Sequence, residues 1–235
     1  SRNEIQKKEK YANSQYEVFI GDLNIENINF DSLIYERKLF IEKISLDSVE
    51  AVIYKNGTKP TDMSSFPKFL GQSIKSIGIP LRVDLVVADH ANILSLEENP
   101  GMTGKANVNR AKAELTNITN LDDSRPLVLK AEAYLENKVN FKVKLEFSYA
   151  RPQFSVDVKF RSFNLTDMNP IVTSYTPGKV NSGIADEISL EGMVNQKNAE
   201  GTMKFLYHNL NVDLDLKDKA LINSIGAFAA NAYLD

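Results

Sequence analysis

The chain has 235 residues, and its 28 Lys and Arg are interleaved with 31 Asp and Glu for a net charge of −3, which gives no electrostatic case for nucleic acid or an anionic membrane surface. It contains no cysteine, so disulfides, thiolate chemistry and Cys-ligated zinc are excluded. With 43% hydrophobic and 25% charged residues it is an ordinary globular composition, able to bury a core, and no apolar run reaches the roughly 18 residues a spanning helix needs.

Residues 1–15 are polar and charge-dense, a lead-in helix or tail rather than core. From Val18 the pattern becomes short alternating runs: Val18/Ile20, Leu23/Ile25, Ile28/Phe30, Leu39/Ile41, Ile44/Leu46 and Val49/Ala51/Ile53. The single-residue phase shifts between them predict bulges or turns within a meander, closed by the turn signal Asn56-Gly57. Across 62–78, Phe66, Phe69, Leu70, Ile74 and Ile77 fall at helical spacing, which predicts an amphipathic helix that plugs the end of its own sheet or lies on a membrane. Strands resume at Leu81/Val83/Leu85/Val87, with turns at Asn99-Pro100-Gly101 and Asp122–Pro126.

The purest alternation lies at 139–160. Val139, Phe141, Val143, Leu145, Phe147 and Tyr149 oppose a face of Asn140, Lys142, Lys144, Glu146 and Ser148, and Phe154, Val156, Val158 and Phe160 repeat the pattern after a turn. Residues 166–176 read as a short helix. From 183 to 216 three strands are expected, with a turn at 196–198 and a bend at His208-Asn209, and 218–235 reads as a C-terminal helix. No composition shift marks a linker, so 1–235 is taken as one β domain.

Catalytic chemistry finds little support. His90 and His208 are the only histidines, and the adjacent Asp89 would point to the opposite face of a strand from His90. Glu97-Glu98 and Asp122-Asp123 lack the setting of a glycosidase pair or a calcium loop, and no nucleophile elbow or phosphate loop occurs. The expectation is a protein that is not an enzyme and uses no cofactor or metal.

Three segments carry a family resemblance: Met168-Asn169-Pro170, Asn181-Ser182-Gly183 and the run Gly201-Thr202-Met203-Lys204-Phe205-Leu206-Tyr207-His208-Asn209-Leu210-Asn211-Val212. Asn92–Glu98 followed by Gly104 adds a looser match. Together they resemble the AsmA-like proteins of diderm bacteria, in the form seen in Bacteroidetes-type relatives. The resemblance implies an elongated, curved antiparallel β-sheet, a groove or half-open sandwich with a few short helices. It also implies a periplasmic, non-enzymatic module that shelters phospholipid or another envelope lipid, or supports outer-membrane lipid homeostasis and envelope assembly. Such a module would be anchored to the inner membrane by a helix upstream of Ser1. Phe141, Val143, Leu145, Phe147, Val156 and Val158 would then contact lipid. The other reading is a self-contained β-sandwich for binding or adhesion, in which the same face is ordinary core.

Overall fold

The computed structural model describes residues 10–60, 62, 66 and 68–214, which form one open ten-stranded sheet and a few short helices. The strands are β1 (Ser14–Ile28), β2 (Leu39–Asn56), β3 (Leu81–Asn99), β4 (Met102–Thr119), β5 (Leu127–Leu135), β6 (Val139–Phe147), β7 (Gln153–Phe160), β8 (Phe163–Asn164), β9 (Gly178–Asn195) and β10 (Ala199–Leu214). The helices are α1 (Phe30–Glu36), α2 (Leu70–Lys75) and α3 (Asn169–Tyr175), with a 3-10 turn at Leu165–Met168. Strands follow sequence order across the sheet from β1 to β7, then β9 and β10, while the short β8 pairs with β9. The C-terminal helix expected at 218–235 lies outside the described residues.

Every neighbouring pair is antiparallel except β2 and β3, which run parallel. A parallel pair needs a crossover rather than a hairpin, and the segment carrying α2 supplies it. This pair was not expected from the sequence.

The phase shifts near the N-terminus are interruptions inside long strands, not turns. Left-handed residues at Asn27 (φ 56) and Ser48 (φ 54) let β1 and β2 change the face their side chains address while staying paired. Gly21 faces Ser48, and a Cβ on it would meet the Ser48 Cβ at 2.9 Å, so the close approach requires glycine there. His90 (φ 51) stands level with Ser48, between the Asp47–Asp89 and Glu50–Asn92 pairs, and Arg110 (φ 52) makes the same switch in β4. The switch therefore runs as a line across four strands. Likewise His208-Asn209 does not separate two strands: Asn209 (φ 53) is a switch inside β10, so 183–214 forms parts of two strands rather than three.

The helices have local causes. Asn29 caps α1 by accepting the Ser32 N–H at 2.9 Å, and Arg37 closes it in the left-handed region. The sequence reading placed strand there and missed α1. Among the described residues of the expected 62–78 helix, only α2 is helical.

Core forms at the two ends of one sheet face. At one end Ile74 of α2 packs with Ile41, Leu81, Val83, Ile118, Leu127, Phe147 and Tyr149. At the other, Leu165 packs with Val180 and Ala185, joined by Val172 of α3. Between them small residues, Ala91, Ala111 and Ala133, pack with Val108 and Phe141.

Candidate functional site: an open apolar face between two helical plugs

The register of β5, β6 and β7 builds the face rung by rung. Ala131, Val143 and Val158 lie side by side, as do Leu129, Leu145 and Val156, then Ala133, Phe141 and Phe160. β9 and β10 continue the first rung with Leu190 and Met203. Because side chains alternate along each strand, all of these project from the same side of the sheet.

Of the six residues singled out from the sequence, all share this face, but their surroundings differ. Phe147 is core: it is 9% exposed beneath α2, with Phe154 beside it at 5.1 Å between ring centroids and Phe69 set edge-on to Phe154. Phe141 is half-buried against the alanine cluster and the ring of Phe160. Val143, Leu145, Val156 and Val158 are also half-buried. Exposure then rises toward β10, with Leu190 at 38% and Met203 at 58%. Among the described residues no second sheet covers them.

The plugs are fixed by side chains that satisfy exposed backbone. β5, β6 and β7 are short, at 9, 9 and 8 residues, whereas β4 and β9 have 18 each. α3 reaches both long strands beyond the ends of the short ones. At one end of α3, the Asn169 amide donates to the Val180 carbonyl and accepts its N–H, each at 2.8 Å. At the other, the Ser174 hydroxyl accepts the Lys105 N–H at 3.0 Å. The ring of Tyr175 lies against Gly104, where no side chain could fit. At the opposite end of the face, the Gln72 amide donates to the carbonyls of Ser148 and Arg151 at 2.8 and 2.7 Å. The Tyr149 hydroxyl donates to the Asn117 carbonyl and accepts the Thr119 N–H, and its burial pushes its pKa up.

The reverse side is charged. Asp89, Lys112, Glu132, Lys142 and Lys159 form one row, and Glu114, Lys130, Lys144 and Asp157 the next, around a groove of about 520 Å³. Ion pairs such as Lys112–Asp89 at 3.1 Å and Lys142–Glu132 at 3.4 Å knit the rows. Glu132 is held below the usual carboxylate range by the Asn140 amide, and Glu146 by Lys144. This groove runs between the charged rows, while the apolar side is an open surface flanked by its plugs.

His90 does not pair with Asp89, the acid beside it in sequence. His90 Nδ1 meets Asp47 at 2.7 Å across the β2–β3 pair, which lowers the Asp47 pKa, and Asp89 instead meets Lys112. His208 Nδ1 meets Asp186 at 2.8 Å. Sequence reasoning missed both pairs, because only the register brings them together. Both are exposed. No cluster of three potential metal ligands occurs among the described residues, and none of their helices is long and apolar enough to cross a membrane.

No protein-family model matches the chain, and no match is found among curated proteins.

Proposed function

We propose that this chain is a non-enzymatic, AsmA-like envelope module that shelters the acyl chains of a phospholipid or similar lipid on its open apolar face. The observation that supports this best is a continuous band of Val143, Val158, Leu190 and Met203 in a sheet with no second layer over it among the described residues. A sheet face of this kind favours an apolar occupant, since each buried CH₂ is worth about 0.8 kcal/mol. Surface this apolar on one side of an open sheet is a binding surface far more often than idle exterior. The periplasmic location and inner-membrane anchor belong to the same reading and rest on the resemblance at 168–170, 181–183 and 201–212. The β-sandwich alternative lacks its second sheet among the described residues.

The test is lipid mass spectrometry of the full-length protein purified without detergent exchange. Enrichment of diacyl lipid over a Val143→Glu/Val158→Glu variant supports the reading. Equal lipid content in both would remove it.

A further inference from the structure

The two edge strands of the sheet are complementary to each other, and we infer that a second copy of this chain adds through its β1 to the β10 of the first, extending the sheet head to tail. Among the described residues, β1 and β10 each pair on one side only. They have 15 and 16 residues. Long edges are normally protected by charged side chains, lysine above all, or by proline, and β1 carries only the acidic Glu17, Asp22 and Glu26. β1 has no lysine or proline, and β10 has a single lysine, Lys204. Instead the edges carry exposed apolar groups: Tyr16 at 68%, Val18 at 61% and Leu23 at 59% on β1, and Tyr207 at 48% on β10.

Strand direction permits the junction. Counting through the sheet, the single parallel pair β2–β3 leaves β10 running opposite to β1. A copy placed in line, with its apolar face on the same side, therefore offers an antiparallel β1.

Register is fixed by the face switches. β1 changes face at Gly21-Asp22, opposite the left-handed Ser48, and again at Asn27, while β10 changes face at His208-Asn209. The alignment that superposes the Gly21-Asp22 switch on that of β10 while pairing most of both strands puts Asn209 opposite Gly21 of the next copy; superposing the Asn27 switch instead would leave the N-terminal half of β1 unpaired. Asn209 is left-handed, as is Ser48, the residue Gly21 already faces within its own chain. In this alignment Phe205 meets Ile25, Tyr207 meets Leu23 and Val212 meets Val18, so the apolar side is unbroken. On the other side Lys204, which pairs with Glu187 in its own chain, meets Glu26, and His208, which pairs with Asp186, meets Asp22. One like-charged neighbour remains, Asp213 opposite Glu17. Joining unlike patches gives an open chain of copies or a ring, never a closed two-fold pair.

The chain has no cysteine of its own, so engineered pairs report the register directly. Val212→Cys and Val18→Cys proteins are mixed under mild oxidation, with Val212→Cys plus Leu23→Cys as the off-register control. Directly opposite residues fall within disulfide reach, whereas an off-register pair does not. The expected result is a covalent dimer from the first mixture at least tenfold above the control. Sedimentation velocity of the cysteine-free chain should show concentration-dependent association, weakened by Lys204→Glu and strengthened by Asp213→Lys. For Asp213→Lys the gain counts only with an unchanged thermal melt, which separates it from aggregation of a misfolded variant. A monomer at all concentrations would overturn the inference. So would equal crosslinking in the control, or disulfide formation within either single-cysteine protein, which would signal a two-fold edge pairing.

Discussion

Tyr149 shows how much one side chain does at the α2 end of the sheet. It stands beyond the last residue of β6, yet its hydroxyl reaches past β5 to the Asn117 carbonyl and the Thr119 N–H at the end of β4. Tyr149→Phe keeps the ring and strands both backbone groups in a buried site, so stability should fall by about 1–3 kcal/mol in urea denaturation. Acid titration gives a second residue-scale prediction. Asp47, Asp122, Glu132 and Glu146 all have lowered pKa values, chiefly from hydrogen bonds to His90, Ser124, Asn140 and Lys144 respectively. A depressed carboxylate contributes stability above its unfolded pKa and loses it as pH falls through the folded value. The denaturation midpoint should therefore be steady from pH 7 to about 5 and decline below the ordinary carboxylate range near pH 4. A midpoint that rises on acidification would contradict this. Tyr149 has the opposite sign for an acid, because its raised pKa favours the neutral form. Its contribution is present below the unfolded value and is lost as pH rises through the folded one.

At the scale of elements, α3 acts as a spacer between two strands too long for their neighbours. Asn169 imitates a strand residue by offering both a donor and an acceptor to Val180. Asn169→Ala should cost about 1–3 kcal/mol and should speed amide exchange in β9 near Val180 without disturbing β5 or β6. Uniformly faster exchange would mean that α3 is not a local plug. The elements also show what could be read in advance. The 139–160 hairpin was plain, since β6 and β7 hold strict alternation with no left-handed residue. The N-terminal strands were not, because Asn27 and Ser48 reverse the alternation without ending the strand, and a broken period looks the same whether the chain turns or switches face. α1 shows no helical period in the sequence because it is only 7 residues long. The parallel β2–β3 pair and the Asp47–His90 contact depend on register between distant segments, which no local pattern carries.

On the scale of the whole molecule, the sheet separates two chemistries: charged rows on one side and an apolar band on the other. Stability should discriminate the sealed parts of that band from the open part. Leu127 is fully buried, so Leu127→Glu places an unpaired carboxylate in the core and should unfold a domain whose whole margin is about 5–15 kcal/mol. Val143 is only half-buried, so the new carboxylate in Val143→Glu keeps contact with water and should cost about 1–2 kcal/mol, within the usual range for a single substitution. Thermal melts of the two variants give the comparison directly. Neighbouring positions on one strand then provide the most direct measurement. A photoreactive residue is placed at 143, on the apolar side, or at 142, on the charged side, of the full-length protein in cells, and adducts are identified by mass spectrometry. Lipid adducts from position 143 and none from position 142 are the predicted result; no lipid adduct from 143, or equal adducts from both, would contradict an acyl-chain surface on this face.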